Sequence, residues 1–191
     1  MKRSIFALCL TAILPQLASG YVLEGQRWFS SPVFIQMNLS ATTYRLQGRA
    51  PNFPLEDGSP SWESVYSSGA LIWNQYLAQF SFFTFQGNNG AGGATNDGVN
   101  EVFFDSSFGG QQLDANTLAI TSYSYDPSSG AMNEADTVFN SNVTWNSYRG
   151  PLASNAVDFR RVAMHEMGHI LVTPLLQQSS DLSLLVRKAS L

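Results

Sequence analysis

The chain has 191 residues, 44% of them hydrophobic and 13% charged, which suffices for one core and is marginal for two. Its formal charge of −4 makes nucleic acid or an anionic membrane an unexpected partner. A single cysteine excludes an internal disulfide.

The first twenty residues carry Lys2 and Arg3, then the apolar run IFALCLTAIL, then LASG with small residues at Ala18 and Gly20. This is the layout of a signal peptide, and the run is far short of the ~20 residues that span a bilayer. We expect a secreted protein whose first mature residue is Tyr21, with no membrane anchor. Processing would remove Lys2, Arg3 and Cys9, leaving eight cationic against fourteen acidic side chains, a formal charge of −6. No thiol would then remain for a zinc cluster or a nucleophile.

PVFIQMNLS (Pro32 to Ser40) has the β-branched and aromatic content of a first strand, and the polar link PNFPLEDGSP follows it. Ser59 and Pro60 then signal a helix start, a capping side chain followed by a proline whose missing N–H is harmless in the first turn. Trp62, Val65, Tyr66, Trp73, Tyr76, Leu77 and Phe80 recur at spacings of three, four or seven, so a helix over Pro60 to Gln79 would bury one aromatic stripe. FSFFTF (Phe80 to Phe85) reads as a second strand. The Gly- and Asn-rich QGNNGAGGATNDG after it reads as a loop, without the Gly-Lys-Ser/Thr of a phosphate cradle. Asp97, Asn100 and Asp105 offer oxygen ligands to calcium (Ca2+), although such residues more often serve turns.

NEVFFD (Asn100 to Asp105), TLAITSYSYD (Thr117 to Asp126) and EADTVFN (Glu134 to Asn140) read as three more strands, separated by the turn signals FGGQQLDAN and PSSGAMN. The last two, joined through Pro-Ser-Ser-Gly, form an expected antiparallel hairpin. Strand, helix, several strands and a second helix make an α+β domain with a mixed sheet. Asn38 and Asn142 begin Asn-x-Ser/Thr sequons.

The second helix should start near Ser154 or Asn155, with Asp158 early enough to favour the positive end of the helix dipole. A step of about a hundred degrees per residue puts Asp158, Val162, His165 and His169 on one side and Ala163, Met164, Met167, Ile170 and Leu171 on the other. His165 and His169 are one turn apart, so both rings can direct a nitrogen at one zinc ion (Zn2+) about 2.0–2.1 Å away. Glu166, beside His165, would project to the rim and take a proton from a metal-activated water rather than bind the metal. The competing reading makes these residues a solvated face. The His-Glu-x-x-His spacing, the helix and the use of both histidines of the chain at one place favour the metal.

VDFRRVAMHEMGHIL, with EADTVFN upstream and the strand order, resembles the matrixin-like branch of the metzincin zinc endopeptidases, especially its bacterial members. The likeness covers roughly Val33 to Leu171. It implies a twisted mixed five-stranded sheet with two long helices, a catalytic domain over residues 21–171, His165 and His169 as zinc ligands, and Glu166 as catalytic base. It also implies a protein or peptide substrate that pairs with an edge strand, for which TLAITSYSYD is the best match.

The family pattern continues to a glycine and a third histidine, where this chain has Val172 and Leu175, and no methionine follows Met167 to form the family's Met-turn. Leucine cannot bind zinc, and a β-branched residue resists a glycine-type turn. Asp181 and the Leu191 carboxylate are weak substitutes. We therefore expect the C-terminal subdomain to be largely missing, with residues 172–191 a divergent tail produced by a frameshift, truncation or gene-model error after Leu171. Two functions follow: a secreted zinc metalloendopeptidase, or a catalytically impaired protein-binding module that lacks the third ligand. A purely structural β-rich domain is a third.

Overall fold

Alternation along VFIQMN makes the first strand half-buried: Val33, Ile35 and Met37 enter the core while Phe34 stays exposed. In a computed structural model, which describes residues 26–39, 54–78, 80–87, 96–152 and 155–171, this is β1 (Val33–Asn38). It is followed by α1 (Trp62–Asn74), β2 (Phe82–Gln86), β3 (Glu101–Asp105), β4 (Ser107–Phe108), β5 (Gln111–Gln112), β6 (Ala119–Tyr125), β7 (Met132–Asn140), β8 (Trp145–Asn146), β9 (Val157–Asp158) and α2 (Phe159–Ile170). The expected signal peptide, the tail from Val172, and with it Leu175, Asp181 and Leu191, lie outside the described residues.

Five strands form one mixed sheet in the order β2-β1-β3-β7-β6. Neighbours run parallel except at β6, which pairs antiparallel with β7 and occupies an edge. The expected α+β class, the hairpin and the edge position of TLAITSYSYD are thus observed. The segment expected to be a plain turn holds a small hairpin instead, with β4 and β5 joined at Gly109 and Gly110. Both glycines have positive φ, 57° and 79°, the backbone that a tight two-residue turn demands.

Helix α1 departs from expectation at both ends. Ser61, not Ser59, is its N-cap: the Ser61 hydroxyl accepts from Ser64 N at 3.2 Å, and the Ser64 hydroxyl accepts from Ser61 N at 3.2 Å. The helix stops at Asn74 instead of Gln79, because the Asn74 amide bonds both the N–H and the C=O of Phe82, at 2.7 and 2.9 Å, and turns the chain into β2. Tyr76 is therefore 55% exposed and leaves the stripe, while Phe80 is buried beyond the helix.

The core lies between the sheet and the two helices. At its centre Phe159, the first residue of α2, meets Phe139 at 4.6 Å between ring centroids, Trp62 at 5.1 Å, Phe104 at 5.5 Å and Trp145 at 5.8 Å. On the opposite face of the sheet Phe34 and Phe83 stay exposed, and the described chain before β3 meets β7 at one point. Asn96 and Gly98 donate their backbone N–H groups to the two oxygens of Glu134, which is buried on β7.

Candidate metal centre

Helix α2 starts later than Ser154 or Asn155, its expected caps. Ser154 is outside the described residues, and Asn155 precedes an extended pair: Val157 and Asp158 run parallel to Trp145 and Asn146, which keeps the backbone out of helix until Phe159. Asp158 is the N-cap, accepting from Arg160 N at 3.2 Å. It is buried and paired with Arg161 at 3.3 Å, so it belongs to the helix start and not to the histidine face.

Three indole or glycine contacts then fix the helix. Trp73 donates from Nε1 to the Met164 carbonyl at 3.1 Å, and Trp28 donates to the Ile170 carbonyl at 2.8 Å. Gly69 on α1 permits close approach: a Cβ there would stand 3.3 Å from Met164 Cγ and 3.4 Å from Met167 Cε. Ala163, Met164, Met167, Ile170 and Leu171 are buried, as the helical period requires.

His165 is exposed and His169 half-buried on the opposite side, with their Nε2 atoms 3.1 Å apart. Two nitrogens each 2.0–2.1 Å from a tetrahedral zinc stand about 3.3–3.4 Å apart, so this pair is within a few tenths of an ångström of chelating spacing. Burial, with the neighbouring His165, holds the His169 imidazole below the ordinary histidine range, against the opposing pull of Glu166. That favours the neutral ring, the form that binds metal.

Glu166 lies beside the two imidazoles and is more enclosed than a solvated helix face would make it. It is 6% exposed, because its position on the helical wheel falls at the seam between the two faces and its side chain reaches β6. There Oε2 accepts from the Thr121 hydroxyl at 2.8 Å, and Thr121 meets Thr137 at 2.9 Å. Tyr66 of α1 is fully buried close enough to feel that carboxylate; burial and the Glu166 charge both push its phenol well above its usual value, so it stays protonated. Among the described residues, His165, Glu166 and His169 are the three ligating side chains close enough to share an ion, their candidate atoms lying within 4.8 Å of one another.

The three candidate calcium residues each serve local structure. Asp97 accepts from Val99 N at 2.9 Å, Asp105 from Ser107 N at 2.9 Å, and Asn100 bridges Ala135 N and the Phe34 carbonyl at 2.8 Å each. Asn38 is buried with its amide given to Glu101 at 2.9 Å, whereas Asn142 is exposed. Among the described residues no helix is long and apolar enough to cross a membrane.

Sequence reasoning did not connect Thr121 or Thr137 with the site, and it read Tyr66 as core alone. The signal was present in part: Thr121 alternates with Ala119 and Tyr123 and so shares their face of β6. No protein-family model matches the chain, and no curated protein matches it significantly.

Proposed function

We propose that the protein is a secreted, zinc-dependent metalloendopeptidase of matrixin-like descent, acting on a protein or peptide substrate. One observation carries the reading: two imidazole nitrogens 3.1 Å apart on the outer face of α2, with a buried carboxylate one residue along the same helix held from the sheet. A solvated helix face would not bury Glu166 or give it a dedicated donor.

His165 and His169 would hold the zinc. When bound, zinc supplies Lewis acidity, lowering the pKa of a coordinated water and stabilising negative charge on an attacked carbonyl. Glu166 accepts the proton of the attacking water and can return it to the leaving amine, since a carboxylate within reach of both is all that this transfer requires. Thr121 restrains that carboxylate. β6, at the sheet edge, is the strand to which an extended peptide would add.

A second reading is favoured by a specific observation: among the described residues no third histidine or separate carboxylate joins the pair. Val172 and Leu175 carry no donor side chain, so the chain would then be a protein-binding module with weakened metal affinity. Zinc stoichiometry and peptide cleavage by the wild type and by Glu166→Ala decide between them. Bound zinc with cleavage abolished in the variant supports the peptidase; weak zinc and no cleavage supports the module.

A further inference from the structure

The Thr121 hydroxyl has one proton, and it is donated to Glu166 Oε2, 2.8 Å away. The Thr121 oxygen is then the acceptor for the Thr137 hydroxyl at 2.9 Å. The chain of donors therefore runs one way, from Thr137 through Thr121 to Glu166. Thr137 is fully buried on β7 directly opposite Thr121 on β6, and both side chains are stiff at χ1 because they branch at Cβ.

We propose that Thr121 is the positioning residue of this site, its hydroxyl seated by Thr137 and holding the Glu166 carboxylate beside the two imidazoles. The inference rests on the reading of Glu166 as the base of a zinc peptidase. Helix α2 fixes only the backbone of Glu166, and several rotatable bonds separate that backbone from the reactive oxygens. The sheet fixes the far end. Thr121 touches neither metal nor substrate in this role; it acts through Glu166. A displacement of about 1 Å at a reacting group can lower a rate by about 100-fold, so a single hydroxyl in this place is consequential.

The test uses the full zinc-loaded chain and four variants: Thr121→Val and Thr121→Ala, which lack the hydroxyl, Thr121→Ser, which keeps it, and Thr137→Val, which removes its support. With either hydroxyl-free variant, kcat should fall by about 10- to 100-fold while KM stays within about twofold and zinc stoichiometry is unchanged. Thr121→Ser should recover most of the rate, and Thr137→Val should lie between. Unchanged kcat without the hydroxyl, or a serine variant as slow as the valine variant, overturns the proposal. A crystal structure of Thr121→Val gives a readout independent of turnover: a Glu166 carboxylate that leaves its place supports the role, and one that keeps it overturns the role. If the wild type cleaves no peptide, the peptidase reading fails, and that structure still decides whether Thr121 positions Glu166.

Discussion

Trp28 and Ile170 are joined across most of the chain's length by a hydrogen bond of 2.8 Å, from the indole nitrogen to a peptide carbonyl. That carbonyl lies in the last turn of α2, where helical partners run out, so the indole satisfies an acceptor that the helix itself cannot. His169 is its immediate neighbour.

Trp28→Phe should therefore lower stability by about 1–3 kcal/mol, since the smaller phenyl loses the donor and part of the packing against the core. A urea midpoint measures the loss, and hydrogen exchange should quicken in the last turn of α2 ahead of its first. Uniform exchange along the helix would count against this role.

Phe159 is the junction of four other aromatic rings and is fully buried, so Phe159→Ala should destabilise by about 3–5 kcal/mol through lost burial and an unfilled cavity. Phe83 is 53% exposed on β2, and Phe83→Ala should fall within about 0.5 kcal/mol of wild type. Denaturant unfolding of the two variants side by side measures the contrast.

Asp136 carries a pH dependence of known sign. Burial pushes its carboxyl up to about 8, assisted by a hydrogen bond to Glu134 and by the charges of Glu134 and Glu101, against the Glu101 amide that it accepts. In the unfolded chain it titrates near 3.8, so between these values the folded state binds the extra proton and stability falls as pH rises from about 4 to about 8. Asp136→Asn imitates the protonated acid, should flatten this slope, and should exceed wild type at pH 8 by on the order of 1–3 kcal/mol. Chemical denaturation at several pH values checks it; a wild-type profile flat across that range would refute it.

On the zinc reading, His165→Ala and His169→Ala should each weaken zinc binding by roughly 100-fold or more, because each removes one of two imidazole donors. Binding by the wild type should weaken as pH falls, since protons compete with the ion for imidazole nitrogen. Titration with a competing chelator reads both effects. Cleavage lost on chelation should return with added zinc.

Much of this was legible in the sequence where a period of two or 3.6 dominated. Val33, Ile35 and Met37 alternate into the core, and the Trp62, Val65, Tyr66 and Trp73 stripe is buried where spacing put it. Boundaries were lost where a side chain spoke to distant backbone: Asn74 stops α1 by bonding Phe82, and pairing with β8 delays α2 to Phe159. The histidines lie together because one helical turn fixes them. The burial of Glu166 was not legible, because a helical wheel assigns a residue at the seam to neither face and the deciding contact comes from Thr121, forty-five positions away in the chain.

Phe159 seated among aromatic rings, Trp73 on the carbonyl of Met164 and Trp28 on that of Ile170 grip α2 at its beginning, middle and end. The two imidazoles thus ride on a beam clamped by the core rather than on a segment that an ion must fold. Metal would enter as a guest in a finished house, adding its own affinity and little ordering of the chain. On the zinc reading, loading and unloading would then proceed without melting the domain, in contrast to small modules that exist only around their ion.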